Sequence, residues 1–349
     1  MMKEYIKAIR RKFKGNGLYK IYNLFRRDVL KGFRDYEKIV KKYGRDVAIL
    51  STAWRGTGDY FICGLYLDAF LKQNRISNYV FLTPNNGGER KVVKLFYAYR
   101  SHVIEIKNIT PIRVFDSFLM KKESNIFYFH HGYQNPNNLS VSVSGISMTG
   151  HNGLNMVDFY LYFGLKIDEN VAKSVPEFIK DENIINKWFE ENHLNLGKTI
   201  LISPYSTGLK EYEMPEEFWE NLACELRRRG YTLVTNCAGE EKRISGTIAL
   251  SIPYDQIVPV LEKAGYFIGI RSGLCDIISG ASCKKIVLYT YKAKWWIDGR
   301  SIQYTGLNNM GLCDDAIEFV YRDKEELDIL LRNILESLQY LDMADDQGK

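Results

Sequence analysis

The stretch Gly265-Tyr266-Phe267-Ile268-Gly269-Ile270-Arg271-Ser272-Gly273-Leu274-Cys275-Asp276 decides the fold. It begins as an apolar β-run, passes through a turn of small residues at Ser272-Gly273 and opens directly into a helical pattern. The first amides of a helix have no partner inside the helix, so a phosphate can dock on them with help from the helix dipole. We therefore expect an anion site here. In a chain with two successive α/β halves, this suggests a nucleotide-diphosphate ligand.

Length and composition limit the class of protein. A chain of 349 residues is too long for one ordinary core and suits two domains of roughly 150 residues. There is no run of about 18 apolar residues and no secretory signal, which predicts a cytoplasmic protein. The six cysteines are scattered, without a C-x-x-C pair or zinc-ligand spacing, so we expect reduced core thiols.

Residues 1–45 form a segment of strong positive charge. They carry 15 Lys and Arg against 4 Asp and Glu, whereas the whole chain has a net charge of +6. Apolar residues interleave at helical spacing, which predicts basic amphipathic helices of the kind that lie on anionic membranes. The alternative is a solvated arm that packs on its own domain or on a second copy of the chain. Nucleic acid is disfavoured, because no zinc-finger or RNA-binding motif accompanies the charge.

From Asp46 onward, short apolar runs alternate with helical patterns, which predicts an α/β fold with open, parallel sheets. Residues 47–51 are predicted to form a buried strand, followed by the glycine turn 55–59 and a helix. A second unit begins at residues 199–204. The segment 158–196 looks helical and contains the connection between the halves. Further strands are expected at residues 79–82, 103–106, 126–129, 231–235, 265–270 and 285–290.

Five blocks along residues 46–291 resemble, by their order and spacing, the heptosyltransferase-like glycosyltransferases of the GT-B fold. The blocks are Gly58-Asp59 after the first strand, residues 155–165, residues 202–207 with Lys210, residues 215–219 with Arg229-Gly230-Tyr231, and residues 269–273. The resemblance implies two Rossmann-like domains whose parallel sheets face a central cleft, residues 46–170 for the acceptor and 171–322 for the donor. The basic helical arm 1–45 lies outside the matched region, and residues 323–349 form a C-terminal helix and tail.

The resemblance also implies the chemistry. Family members move a sugar, with inversion, from a nucleotide-diphosphate sugar to a hydroxyl of a growing glycan. A surface-glycan or lipid-linked acceptor, of the capsule, cell-wall or O-antigen type, is consistent with the basic arm, because such acceptors are held at the inner face of the membrane. A GT-B-fold nucleotide-sugar epimerase and a non-catalytic relative that binds a glycan or a partner protein remain alternatives.

Asp59 is the candidate general base. The resemblance places the base at this acid, and the pattern puts it where a loop becomes a helix at the carboxyl edge of a strand, where open α/β sheets bind ligands. The alternative is that Asp59 only caps its helix. Gly56 and Gly58 would let the backbone approach the acceptor closely, although a plain tight turn explains them almost as well.

The donor site is predicted in the second half. Ser206 and Thr207 offer hydroxyls, Lys210 a point charge, and Ser272 and Gly273 backbone amides for the charge that develops on the diphosphate. Lys210 as a solvated loop residue is the alternative. Glu213 is a candidate ribose ligand.

Two positions depart from the family pattern, which usually has an acid before the Ser-Gly pair and a histidine three residues after it. Here they hold Arg271 and Asp276, so the donor need not be ADP-heptose. Arg271 could pair with a phosphate or a sugar carboxylate, or form a structural ion pair. Asp276 could cap its helix or bind a ribose or sugar hydroxyl.

A catalytic metal is not expected, because the chain has no Asp-x-Asp sequence of the kind that metal-dependent glycosyltransferases commonly use. His130 and His131 adjoin at a strand end and point to opposite faces, so they cannot readily share an ion. His131 and His151 are candidate acceptor contacts instead. We predict no cofactor beyond the nucleotide-sugar co-substrate.

Overall fold

The computed structural model describes residues 25–52, 56–83, 88–96, 103–106, 111–112, 115–116, 125–129, 154–168, 170–206, 214–239, 241–291, 300–322 and 326–347. The chain forms two parallel sheets with helices packed on them, one sheet in each half of the sequence. The predicted α/β class and the parallel sheets are confirmed.

The first sheet has the strand order β3-β2-β1-β4, and all of its neighbours are parallel. Its strands are Ala48–Thr52 (β1), Tyr79–Thr83 (β2), Val103–Glu105 (β3) and Ile126–Phe129 (β4). Every residue of β1 and β2 is buried, as expected when helices cover both faces of a parallel sheet. β1 lies between β2 and β4, so the loop after β1 emerges where the strand order reverses.

In the described ranges the first half has the helices Leu30–Tyr43 (α1), Thr57–Gln73 (α2) and Gly88–Val93 (α3). α1 and α2 pack on this sheet, and α3 packs on α2. Successive side chains of a strand point to opposite faces. On one face, Val47 and Ile49 share a buried cluster with Ile39 of α1. On the other face, Ala48 and Leu50 belong to the larger core that contains α2.

The described strands of the second half form a second parallel sheet. They are Thr199–Ser203 (β5), Thr232–Asn236 (β6), Ile248–Leu250 (β7), Gly265–Ile270 (β8), Lys284–Thr290 (β9) and Ile317–Tyr321 (β10). Their order in the sheet is β10-β9-β8-β5-β6-β7. The chain runs outward from β5 to β7 and then returns to β8, so β5 and β8 are neighbours where the strand order reverses. Open α/β sheets bind ligands outside the carboxyl ends of such a pair of strands.

The predicted helical connection between the halves is correct only in part. A short helix, Met156–Phe159 (α4), continues into a π-helical segment, Tyr160–Leu165, which ends at Lys166 in the left-handed conformation with φ 53°. Residues 171–181 are not helical, and Pro176 within them lacks the backbone N–H that a helix interior needs. The helix Glu182–Glu191 (α5) follows, with Asp181 as its N-cap.

Five more helices lie in the described part of the second half. They are Glu216–Arg228 (α6), Tyr254–Ala264 (α7), Gly273–Ile277 (α8), Ser301–Thr305 (α9) and Leu327–Gln347 (α10). Gly265, with φ 98°, closes α7 in the left-handed conformation that favours glycine, and β8 begins at the same residue. Along the described ranges, no helix is both long and apolar enough to cross a bilayer.

The described part of the basic arm consists of a π-helical turn, Phe25–Val29, and α1. Ile39 is buried against the first sheet, and the ring of Phe33 packs edge-on against Phe115 with 5.6 Å between ring centres. The other side of α1 faces solvent and is basic. Its exposed cationic residues, with those of the adjoining turns, are Arg26, Arg27, Lys31, Arg34, Lys38, Lys41, Lys42 and Arg45.

Candidate active site

The two halves of the chain meet where α2 and α8 begin. A Cβ placed on Gly58 would lie 2.1 Å from Oδ2 of Asp276, and one placed on Gly273 would lie 2.0 Å from Oγ1 of Thr57. Real Cβ atoms do not approach other atoms so closely, so both positions need glycine for close backbone approach. This contact brings the predicted acceptor-side acid, Asp59, next to the predicted donor-side turn.

Asp59 lies in the first turn of α2 and is half-buried. Its Oδ1 accepts a hydrogen bond of 2.6 Å from the hydroxyl of Tyr160, which is completely buried. Its Oδ2 lies beside Gly56, where a Cβ would come within 2.1 Å of that oxygen. The backbone of Gly56 is extended, a conformation that any residue can adopt. Glycine matters here because its missing side chain leaves space in front of the Asp59 carboxylate.

Burial raises the pKa of Asp59 to about 6, and the Tyr160 hydrogen bond and the positive charge of Arg271 act in the opposite direction. Loss of hydration penalises the charged form of an acid, whereas a donor or a nearby cation stabilises it. A carboxyl group with a pKa close to neutrality suits general base catalysis, because it is ionised at working pH and still basic enough to take a proton.

Arg271 and Asp276 form a buried ion pair beside Asp59. Nη2 of Arg271 donates to Oδ1 of Asp276 at 2.6 Å, and the two side chains are 7% and 1% exposed. The remaining nitrogens of the guanidinium donate to backbone carbonyls, Nε to Thr305 at 2.7 Å and Nη1 to Ser272 at 2.5 Å. Arg271 therefore holds the turn before α8 and the acid within α8 to the rest of the second half.

Burial also raises the pKa of Asp276, to about 6, against the lowering effect of the charge and hydrogen bond of Arg271. The charge of Asp59 adds to the rise. The two carboxylates are thus electrostatically coupled through the contact between the halves, with one arginine near both.

A cavity of about 890 Å³ adjoins this contact and is lined by both halves. It lies beyond the carboxyl end of β5, where Tyr205 and Ser206 follow the strand, and Thr57 of α2 forms part of its wall. Ligand pockets commonly measure 300–1,000 Å³, and this one is large enough for a nucleotide. Its lining residues are Thr57, Gly88, Lys91, Tyr205, Ser206, Met214, Glu216, Trp219, Ala238, Gly239, Glu241, Lys242, Ile244 and Tyr254.

No family model matches the sequence, and no curated protein matches it. Among solved structures, the ADP-heptose LPS heptosyltransferase II of E. coli aligns with 85% of this chain and 99% of its own, at 15% identity and a TM-score of 0.54. The chain has the GT-B fold.

Two further solved structures align less closely. A family 9 glycosyltransferase from Veillonella parvula DSM 2008 covers 80% of this chain and 87% of its own at 11% identity and a TM-score of 0.49. The E. coli heptosyltransferase WaaC with ADP covers 84% and 98% at 13% identity and a TM-score of 0.49. The resemblance predicted from the sequence is confirmed as a likeness of fold.

The GT-B arrangement brings several predicted site residues together. Gly58, Asp59, Arg271, Gly273 and Asp276 lie at the contact between the halves. Ser206 lies on the cavity wall, Ser272 is the N-cap residue of α8, and Gly56 precedes α2. Five predicted residues lie outside the described ranges: His131, His151, Thr207, Lys210 and Glu213. Over the described ranges, no group of three or more His, Cys, Asp or Glu side chains is arranged to hold a metal ion.

Tyr160 was not among the predicted site residues. It lies in the block 155–165 that carries part of the family resemblance, but its partner Asp59 is 101 residues away in the sequence. A buried tyrosine in an apolar helical block looks like an ordinary core residue. The pairing is apparent only once the fold places the π-helical segment beside α2.

Proposed function

We propose that the chain is a glycosyltransferase that moves a sugar from a nucleotide-diphosphate sugar to a hydroxyl of a surface-glycan or lipid-linked acceptor, of the capsule, cell-wall or O-antigen type. Transfer proceeds with inversion and without a metal or other cofactor. The observation that carries this proposal is Asp59, a half-buried acid at the meeting point of the two halves whose pKa of about 6 suits a general base. The E. coli protein that shares the fold is named for ADP-heptose, a donor of this class.

In this proposal the donor occupies the second half and the cavity beside it. Ser206 lies on the cavity wall, and Thr207, Lys210 and Glu213 follow it along the same loop in the sequence. Lys210 and the hydroxyls stabilise the diphosphate, Glu213 binds the ribose, and Ser272 and Gly273 face the diphosphate from the next strand end. Arg271 and Asp276 contribute by holding that turn in place, because their buried ion pair engages both side chains.

The acceptor lies in front of Asp59, with Gly56 leaving the necessary space and His131 and His151 as further contacts. A carboxylate oxygen of Asp59 removes the proton of the acceptor hydroxyl as the hydroxyl oxygen attacks the anomeric carbon. The bond from that carbon to the diphosphate oxygen breaks, and the nucleoside diphosphate leaves with the electron pair from the opposite face of the sugar. The proton on Asp59 then passes to solvent.

A thermal-shift screen against UDP, GDP, ADP, CDP, dTDP and their common sugars tests the donor part. We expect one nucleotide series to raise the melting temperature selectively, since a ligand at 100 times its dissociation constant stabilises by about 2.7 kcal/mol. Gly239 lies on the cavity wall and a Cβ there meets nothing within 4 Å, so Gly239→Phe is expected to fold and to weaken the shift, because its ring takes up part of the cavity.

Gly280→Phe is the matched control. Gly280 also has open space around a Cβ, but it is exposed and does not line the cavity, so this variant should keep the shift. Absence of a shift with every nucleotide would contradict the proposal. Turnover of the donor alone into an epimer would instead identify a nucleotide-sugar epimerase, and binding without any turnover a non-catalytic relative.

The basic side of α1 supports a peripheral location at the inner face of the membrane. Arg34, Lys38 and Lys41 are exposed and spaced four and three residues apart, so they share one side of the helix, opposite buried Ile39. Each basic residue near an anionic surface contributes about 1 kcal/mol. We expect the triple variant Arg34→Glu, Lys38→Glu, Lys41→Glu to bind vesicles of about one-third phosphatidylglycerol in phosphatidylcholine roughly 100-fold more weakly in co-sedimentation.

The triple variant Lys180→Glu, Lys187→Glu, Arg228→Glu is the control for net charge. These residues are exposed on the second half, and the variant changes the total charge equally. Equal vesicle binding by both triple variants would count against the membrane role. A change in oligomeric state for the α1 variant alone would favour the alternative, in which this surface packs on a second copy of the chain.

A further inference from the structure

Tyr160 links the candidate base to the connection between the two halves. Its side chain is completely buried, and its hydroxyl donates to Oδ1 of Asp59 at 2.6 Å. It begins the π-helical segment that directly follows α4. Single π-turns of this kind are rare and often occur at functional sites.

The chain holds Tyr160 in place from the start of α4. Asn155 and Asp158 form a capping box there, each side chain accepting a hydrogen bond from the backbone N–H of the other residue. The amide of Asn155 also donates to the carbonyl oxygen of Asn309 at 2.8 Å, which anchors α4 to the second half. The orientation of the Tyr160 hydroxyl is therefore fixed by backbone anchored in both halves.

We propose that Tyr160 is a positioning residue: by donating to Oδ1 it fixes the orientation of the Asp59 carboxylate that receives the proton of the acceptor hydroxyl. This inference rests on the proposed function. A donor that is itself fixed holds the carboxylate in one orientation, and such preorganisation of a reacting group favours catalysis. The same donor stabilises the ionised form of Asp59 against the cost of burial.

Other titratable and charged groups lie near Asp59 or near its partner Tyr160. Arg271 lowers the pKa of Asp59, while the charges of Asp59 and Asp276 disfavour one another. Cys63, one turn along α2, is a buried thiol whose pKa is raised by burial and by Asp59. Tyr60 interacts electrostatically with Tyr160, and its own hydroxyl donates to the carbonyl oxygen of Leu82 at 3.2 Å. Tyr160 contacts the carboxylate of Asp59 directly, through the hydrogen bond of 2.6 Å from its hydroxyl to Oδ1.

Tyr160→Phe removes the hydroxyl and keeps the ring. With the nucleotide sugar found in the thermal-shift screen, the measured rate is release of the nucleoside diphosphate as a function of pH. We expect kcat at pH 7 to fall about 10- to 100-fold, as for the loss of a hydrogen bond to a charged group, with little change in the donor KM. The acid limb of the profile should move to higher pH, because the ionised form of Asp59 loses a donor. Tyr60→Phe is the matched control. It removes the hydrogen bond from another buried tyrosine to the carbonyl oxygen of Leu82, and the acid limb of the pH profile should stay where it is in the wild type.

A titration that needs no activity separates this inference from the proposed function. Carboxyl carbons of aspartates labelled with carbon-13 are followed by NMR against pH, with Asp59→Asn identifying the Asp59 signal. Tyr160→Phe should raise the pKa of Asp59, and an unchanged pKa would overturn the inference even if transfer activity is found. If the wild-type chain transfers no sugar, the proposed function fails while this titration still tests Tyr160.

A second variant covers the case in which Tyr160→Phe does not fold. Site-specific incorporation of 3-fluorotyrosine at position 160 makes the phenol more acidic and a stronger donor with almost no change in size. The pKa of Asp59 should then fall below its wild-type value. A pKa equal to that of the wild type would contradict a positioning role for this hydroxyl.

Discussion

Asp59→Asn is expected to lower the rate of sugar transfer by about 10²–10⁴-fold, the usual contribution of a general base. Asparagine keeps the shape of the side chain, and its oxygen can still accept the Tyr160 hydrogen bond, so the fold should be preserved. It cannot take up the proton of the acceptor hydroxyl. Donor binding should remain, because the cavity wall includes Ser206 and Thr57 but not Asp59. The measurement is kcat for transfer together with the thermal shift by the donor.

Asp68→Asn is the matched control for this variant. Asp68 lies on the same helix, α2, but is exposed and accepts a hydrogen bond of 2.7 Å from Ser174. Its loss should leave kcat unchanged. In the wild type, transfer should decline as the pH falls through about 6, since protonated Asp59 cannot act as a base. Full activity in Asp59→Asn would remove the assignment of the base and leave Asp59 as a cap of α2.

The parts of the fold that could be predicted from the sequence are those encoded locally. Strand β8 and the start of α8 follow from an apolar run, a Ser-Gly turn and a helical pattern that are adjacent in the chain. The edge strands β7 and β10 and the short helix α9 were not predicted. β7 has three residues, and all five residues of β10 are only partly buried, so neither carries the continuous apolar pattern of a central strand.

In the candidate site as well, locally encoded features could be predicted from the sequence, whereas contacts between distant residues could not. Asp59, Gly58 and Gly273 could each be selected from loop-to-helix patterns, but their meeting depends on how the two halves pack. The sequence left ligand binding or ion pairing open for Arg271, and ligand binding or helix capping open for Asp276. The structure shows the two side chains in an ion pair inside the second half. Whether such residues pair with each other or bind a ligand depends on side-chain direction and burial, which residue type alone does not give.

Arg271→Met is expected to destabilise the folded protein by about 3–5 kcal/mol, the usual cost of removing one partner of a buried ion pair. Asp276 is 1% exposed, so water cannot replace the lost guanidinium, and the hydrogen bonds to Thr305 and Ser272 are lost as well. Methionine has a similar length and packs in apolar surroundings. The measurement is the free energy of unfolding in urea.

The double variant Arg271→Met, Asp276→Leu distinguishes an uncompensated charge from a packing defect. Replacing a whole buried ion pair by apolar residues of similar shape is often neutral or stabilising, so we expect the double variant to be close to the wild type. In Arg271→Met alone, loss of the guanidinium raises the folded-state pKa of Asp276 further above the unfolded value, so the buried acid takes up a proton more readily. A raised folded pKa adds stability that is fully present below the unfolded pKa and is lost as the pH rises through the folded value. The loss of unfolding free energy in Arg271→Met should therefore be smaller at low pH and largest above neutrality. A loss that is independent of pH and persists in the double variant would show that Arg271 acts by packing alone.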